Sequence, residues 1–294
     1  MENLEYFLRP TQHELFNLIF KRYSGKAIAK ECSYILVKGE APIMLLAHLD
    51  TVHEKPVQQI CKSEDGNIIM SPQGVGGDDR CGVYAIVKAY EQSKVKPWLL
   101  FTCDEEVGGI GASAFVDRYY KGELPKDLLD LKFLIEIDRK GKKDAVYYGC
   151  RNTEFEDYIT SKGFVTDHGS FSDISTIAPA LEVAAVNLSS GYYNAHTKHE
   201  YINCKQLENV ISKVIEIVAE AAKPETPQYE YIDDKWDYTD GWSDTDTFAD
   251  MYDYLSDIYT DQQLDEFCEL YGDGIISQLY NAKLGSSWYK HSIY

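Results

Sequence analysis

Four apolar runs, each followed by side chains that can bind a metal ion, constrain the fold of this 294-residue chain most strongly. Short, largely apolar runs are typical of strands buried on both faces of a parallel sheet. The runs are 43–47 before His48, 98–102 before 104–106, 133–137 before Asp138, and 183–188 shortly before His196. Functional groups in such sheets gather beyond the carboxyl ends of the strands, so these side chains are expected to converge on one site.

Helical patterns separate the apolar runs throughout residues 1–224. Alternation of strand and helix is typical of α/β domains. We therefore predict an α/β fold with a central sheet that is mixed and largely parallel.

Negative charge is concentrated towards the C-terminus. The chain has 29 Lys and Arg against 48 Asp and Glu, and residues 225–294 alone hold 16 acidic and 3 basic residues. Pro224 and Pro227 interrupt the preceding helical pattern, which predicts a boundary after residue 224. The part beyond it is predicted to be a small, acidic, aromatic-rich appendage with short helices at 247–255 and 264–271.

Composition also excludes several classes of protein. A net charge of −19 without a Lys or Arg stripe disfavours nucleic acid and anionic membranes as partners. No apolar run is long enough to span a bilayer, and the first residues lack the pattern of a signal peptide. Seven scattered cysteines without a Cys-x-x-Cys pair are typical of reduced thiols, so a cytoplasmic protein is expected.

The polar motifs matter most in combination. Singly, each has an ordinary explanation, such as a strand-end histidine at His48 or a helix-capping turn at 76–82. Together they provide two histidines, three carboxylate ligands and a spare carboxylate, which suits two divalent ions that share one aspartate. The candidate ligands are His48, Asp78, Glu106, Asp138 and His196, and the spare carboxylate is Glu105.

The motifs resemble, in order, those of the co-catalytic dizinc exopeptidases of metallopeptidase clan MH. The matching segments are 47–52, 77–82, 104–112, 136–139 and 195–197. This clan includes peptidase T, several aminopeptidase families, and carboxypeptidase and deacylase relatives. The resemblance implies a three-layer α/β/α sandwich for residues 1–224 and two divalent metal ions per chain, with zinc expected. Residues 225–294 lie outside it.

The resemblance also implies a role for each site residue. Two ligand sets would share Asp78 as a bridge: His48, Asp78 and Asp138 for one ion, and Asp78, Glu106 and His196 for the other. Asp50 would accept a hydrogen bond from the His48 ring and fix its orientation. Glu105 would be the general base that activates a water molecule and then protonates the leaving amine.

Spacing favours a compact, lidless catalytic domain. Only 57 residues separate Asp138 from His196, too few for the lid and dimerisation domain of peptidase T and the deacylase relatives. Only 29 residues separate His48 from Asp78, which excludes the extra β-rich domain of the self-compartmentalising aminopeptidases. A monomer is compatible with this layout, and a homo-oligomer stays open.

The expected substrate is a peptide or a small amide. An acidic pocket favours a free α-amine and therefore an aminopeptidase. A carboxypeptidase, a dipeptidase or an N-acyl amino acid deacylase is the alternative, with Arg80, Arg139 or Arg151 binding a carboxylate. A noncatalytic binding protein on the same fold also stays open.

Further candidates lie close to the metal-ligand motifs. Tyr192 and Tyr193 are candidate hydrogen-bond donors to the tetrahedral oxyanion. His168 and residues 170–173 are candidates for lining the substrate pocket.

Overall fold

The computed structural model describes residues 3–53, 55–169 and 171–233, together with Leu255, Tyr259 and Leu264. The chain forms two units, Met1–Asp234 and Lys235–Tyr294. Apart from buried, helical Leu255 and Leu264, the predicted C-terminal helices lie outside the described residues. The boundary predicted after residue 224 stays a prediction.

Helices and strands alternate along the first unit, as predicted. The helices are α1 (Leu4–Leu8), α2 (Gln12–Arg22), α3 (Gly77–Gln92), α4 (Ile110–Tyr120), α5 (Thr153–Ser161), α6 (Ile174–Leu181) and α7 (Cys204–Ala221), with a 3₁₀ turn at Lys126–Asp130. The strands are β1 (Ala27–Lys30), β2 (Tyr34–Val37), β3 (Ile43–His48), β4 (Cys61–Lys62), β5 (Ile68–Met70), β6 (Trp98–Thr102), β7 (Phe133–Arg139), β8 (Asp144–Val146), β9 (Val165–Thr166), β10 (Ala185–Ser189), β11 (Tyr192–Tyr193) and β12 (Tyr201–Asn203).

Eight strands form the main sheet, in the order β1-β2-β6-β3-β7-β10-β8-β9. The four central strands β6, β3, β7 and β10 are mutually parallel. They contain the four apolar runs of the sequence, and every residue of β3, β6 and β10 is buried. The predicted α/β fold with a mixed, largely parallel sheet is confirmed.

Helices cover both faces of this sheet. Successive strand residues point to opposite faces, so Leu45 belongs to one hydrophobic core and Leu46 to the other. The first core contains side chains of α1, α2, α3, α5 and α7, and the second contains side chains of α4 and α6. This arrangement is the three-layer α/β/α sandwich expected from the resemblance.

A second, antiparallel sheet of four short strands has the order β11-β12-β5-β4. Its strands have two or three residues each, which is too short for a periodic pattern to reveal them. The sheet packs against α3 through β11 and β12. It therefore places the residues around β12 beside the start of α3.

Among the described residues, no helix combines the length and the apolar composition that a membrane span requires.

Candidate active site

The carboxyl ends of the central strands carry most of the candidate site residues. His48 ends β3, Asp104–Glu106 follow β6, and Asp138 lies next to the last residue of β7. Asp78 lies at the start of α3, where the Asp78–Asp79 peptide bond is cis. His196 lies in the loop after β11.

Asp78 lies at the centre of the cluster and faces two groups of side chains. Its Oδ1 atom lies 3.2 Å from His48 Nε2, and its Oδ2 atom lies 3.3 Å from His196 Nε2. His48 Nε2 lies 3.7 Å from Asp138 Oδ1, and His196 Nε2 lies 3.1 Å from Glu106 Oε1. The two carboxylate oxygens of Asp78 thus face two different histidines.

These distances fit metal coordination. Ligand atoms around a tetrahedral ion with bonds of about 2.0–2.1 Å lie about 3.3 Å apart. Ligand atoms of His48, Asp78 and Glu106 all lie within 4.8 Å of one another. The same holds for His48, Asp79 and Asp138. The geometry therefore suits divalent ions with nitrogen and oxygen ligands.

The electrostatics of the cluster favour a cation. Burial and the neighbouring charge of Asp78 raise the pKa of Asp138 well above its usual value. The same two causes raise the pKa of Glu106 to about 7. Buried carboxylates this close together repel one another, and a divalent cation relieves that repulsion.

Asp50 connects His48 to the loop after β6. Its Oδ1 atom lies 3.3 Å from His48 Nδ1, so the opposite ring nitrogen faces Asp78. Oδ1 also accepts a hydrogen bond from the Glu105 N–H at 3.1 Å, and Oδ2 accepts one from the Glu106 N–H at 3.0 Å. Burial acts to raise the pKa of Asp50, but the bonds from His48 and these N–H groups lower it overall. Asp50 therefore orients three site residues.

Glu105 is half-buried next to the candidate ligand Glu106. Burial raises its pKa above the usual value for a glutamate, and the charges of Asp78 and Asp50 act in the same direction. A carboxylate with a raised pKa exchanges protons more readily near neutral pH. Its environment suits a general base.

Glu200 is a site residue that sequence analysis did not identify. It is 1% exposed and lies just before β12. Its carboxylate accepts hydrogen bonds from the N–H groups of Gly76 at 2.7 Å and Asp78 at 3.0 Å, and it lies 3.2 Å from His53 Nε2. Glu200 thus fixes the backbone that carries Asp78. No local sequence signal marks this role, because the contact spans 122 residues.

Asn187 holds Asp138 in a similar way and was also missed. Its Oδ1 atom accepts a hydrogen bond from the Asp138 N–H at 2.7 Å. Its Nδ2 atom donates to the Asp138 carbonyl at 3.3 Å and to Ser172 Oγ at 3.0 Å. A buried asparagine inside the apolar strand β10 was the available signal.

The structure separates the two tyrosine candidates. The Tyr192 hydroxyl donates to Asp138, 3.2 Å from its carbonyl and 3.3 Å from Oδ1. The Tyr193 hydroxyl donates to Gln206 at 2.6 Å, and its ring stacks on Tyr201. Tyr192 therefore contacts the candidate ligand cluster, whereas Tyr193 is engaged elsewhere.

Of the pocket candidates His168 and 170–173, two are exposed to solvent and two are buried. His168 is exposed, and its carbonyl accepts a hydrogen bond from Arg139. Ser170 lies outside the described residues, and Phe171 is exposed beside Gly109. Ser172 and Asp173 are buried and hydrogen-bond to Glu136 and Thr102 respectively.

A cavity of about 540 Å³ adjoins the cluster. Its lining includes Asp50, Gly76 and Glu106 from the region of the cluster, and Leu8 and Gln12 from the N-terminal segment. It is large enough for one or two amino-acid residues of a substrate.

We predict that Glu200→Ala destabilises the protein by about 2–4 kcal/mol, because it leaves two buried N–H groups without an acceptor. The variant should also bind metal ions more weakly, since the backbone at Asp78 loses its support. Urea unfolding and metal titration measure the two effects. The control is Glu216→Ala, an exposed position on α7. Unchanged stability and metal affinity in Glu200→Ala would contradict the positioning role.

Comparison with known proteins identifies the fold. No protein-family model matches the sequence, and no curated protein matches it either. Among solved structures, aminopeptidase PepT from Bacillus cereus has a TM-score of 0.56 at 14% identity, covering 75% of this chain and 96% of its own. A tripeptidase from Staphylococcus aureus has a TM-score of 0.55 at 15% identity, covering 74% and 96%. A TET aminopeptidase from a marine-sediment Thaumarchaeota archaeon has a TM-score of 0.57 at 12% identity, covering 73% and 94%. The chain therefore has the fold of these three peptidases.

Proposed function

We propose that this protein is a metal-dependent exopeptidase, and specifically an aminopeptidase with two divalent ions per chain. The observation that carries the proposal is the geometry of Asp78, whose two oxygens face two different histidines, His48 and His196. The aminopeptidases and the tripeptidase that share the fold support the same activity. Zinc is the expected metal, although cobalt and manganese suit the same ligands.

In this proposal the candidate ligands are assigned to two ions in the way that the resemblance implies. His48 and Asp138 would hold one ion, Glu106 and His196 would hold the other, and Asp78 would contact both. Ions bound there would polarise the substrate carbonyl and lower the pKa of a water molecule. The Glu105 carboxylate would take a proton from that water and deliver it to the leaving amine. Asp50 would keep the His48 ring and the Glu105 backbone in the orientation this requires.

Charge at the site supports the aminopeptidase over the alternatives that need a carboxylate-binding cation. The cavity lining contains three carboxylates, Asp50, Asp104 and Glu106, against two cations, Lys55 and Arg80, and this excess of carboxylates would attract a protonated α-amine. Arg80 is 3% exposed and donates to the backbone carbonyls of Phe7 and Pro10. Arg139 donates to Asp167 and to the His168 carbonyl. Two of the three candidate arginines are thus already engaged within the chain.

Cysteine chemistry supports the proposed cytoplasmic location. The six cysteines within the described residues are free thiols, and Cys268 lies outside those residues. Free thiols persist in reducing compartments.

The proposal is tested by metal analysis combined with a substrate panel. We expect two metal ions per chain by mass spectrometry, and release of chromophore from aminoacyl p-nitroanilides. A chelator should abolish the activity, and added zinc, cobalt or manganese should restore it. The N-acetylated form of the best substrate is the matched control, because it differs only in the free amine.

Each alternative result would favour a different function. Two bound ions with cleavage of only the N-acylated substrates would favour the deacylase alternative. Release of C-terminal residues from peptides would favour the carboxypeptidase. Purified protein that takes up no metal under zinc-replete conditions would contradict the enzymatic proposal and favour a noncatalytic protein.

A further inference from the structure

The backbone of the Asp104–Glu106 loop is held by side chains from two other elements. Three successive N–H groups point to acceptors outside the loop. Those of Glu105 and Glu106 donate to Asp50, just after the end of β3. That of Asp104 donates to Gln12 Oε1 at 3.0 Å. Gln12 lies 92 residues away, at the start of α2.

The contact between Gln12 and Asp104 is reciprocal. Gln12 Nε2 donates to Asp104 Oδ1 at 2.8 Å, so both amide atoms of Gln12 bond to one residue. Asp104 has φ +57°, a left-handed conformation that is disfavoured for residues other than glycine. A two-point contact holds the residue in this conformation, and that conformation directs the chain into Glu105.

The segment that carries Gln12 is fixed on both sides. Thr11 and Glu14 form a capping box at the start of α2, which restricts Gln12. Arg80, two residues after Asp78, donates from Nη1 to the carbonyls of Phe7 at 2.8 Å and Pro10 at 2.9 Å. Residues 7–12 therefore connect the backbone near Asp78 to the loop of Glu105 and Glu106, and Leu8, Pro10, Thr11 and Gln12 of this segment line the cavity.

We propose that Gln12 is a positioning residue of the active site, which acts through Asp104 to aim Glu105 and Glu106. The effect on catalysis that we infer rests on the proposed function. Gln12 itself lies outside the sequence motifs that carry the resemblance. Both side-chain hydrogen bonds of Gln12 go to Asp104, which is not a candidate ligand. Gln12 sets the direction of the backbone from which the general base and one ligand project.

Two variants test the contact between Gln12 and Asp104. The first puts a carboxylate at position 12, and the second also puts an amide at position 104. Gln12→Glu places two carboxylates within hydrogen-bonding distance, so it loses one bond and adds repulsion. Asp104→Asn combined with Gln12→Glu restores both bonds, because the amide introduced at position 104 can donate to the new carboxylate. Asparagine also tolerates the left-handed conformation. Glutamate suits the first turn of α2, so Gln12→Glu is expected to fold.

Two readouts separate positioning from general stability. We expect Gln12→Glu to lower kcat by about 10–100-fold, since a displaced base slows the chemical step. Hydrogen exchange of the 104–106 amides should be faster in this variant than in wild type, measured on metal-free protein. The double variant should recover both kcat and protection. Asn17→Ala, an exposed position on α2, is the control.

The outcomes distinguish this inference from the proposed function. Wild-type protein without peptidase activity would contradict the proposed function, while the exchange measurement on metal-free protein would still test the contact. Wild-type kcat in Gln12→Glu, or unchanged amide exchange, would overturn the positioning role. A double variant as defective as the single one would also overturn it.

Discussion

Replacing Glu105 by Gln is expected to lower kcat by about 10²–10⁴-fold while two metal ions remain bound. Glutamine keeps the size of the side chain but cannot accept the proton of the attacking water. Glu105 belongs to neither candidate ligand set, so the metal sites should be unaffected. Steady-state hydrolysis of the best aminoacyl p-nitroanilide, together with metal content, measures both parts of this expectation.

The pH dependence of kcat gives a second test of the same variant. Burial raises the pKa of Glu105 above its usual 4.5, and only the ionised carboxylate can act as a base. Wild-type kcat should therefore fall at acid pH as this carboxylate becomes protonated, and the residual activity of Glu105→Gln should lack this acid limb. Glu64→Gln, an exposed position, is the control. Full activity of Glu105→Gln would contradict the assignment of Glu105 as the general base.

The sequence alone was sufficient to predict the central sheet, because the composition of its strands is unusually uniform. The runs at β3, β6, β7 and β10 contain almost only apolar residues, and strands buried on both faces require such runs. Polar residues at their carboxyl ends then indicated where a site would form. The structure brings these residues together, with the Asp78 oxygens facing His48 and His196.

The supporting residues could not be predicted, because their roles depend on long-range contacts. Glu200 bonds to the backbone of Gly76 and Asp78, and Gln12 bonds to Asp104, across separations that no local pattern records. The short strands that bring Glu200 into place have no readable periodicity either. Tyr193 shows the opposite case. It is close to His196 in sequence, but its hydroxyl bonds to Gln206 and does not reach the cluster.

The Asp78→Asn exchange is expected to abolish detectable hydrolysis and to reduce bound metal from two ions to at most one per chain. An amide nitrogen is not a metal ligand, so asparagine offers only one oxygen where the aspartate offers two. The remaining set of ligands then lacks a bridge, and the two ions can no longer share a site. Metal content, and activity on the best aminoacyl substrate, measure the loss.

Unfolding measurements test the same assignment without relying on activity. Ions that bind only the folded protein stabilise it by about 2.7 kcal/mol at a concentration of 100 times Kd. Chelation should therefore lower the urea midpoint of the wild type clearly, and that of Asp78→Asn much less, because the variant has less bound metal to lose. Asp117→Asn, an exposed position on α4, should respond to the chelator as the wild type does. A variant that keeps two ions and the full chelator response would show that Asp78 does not bridge, and the two ligand sets would then have to be reassigned.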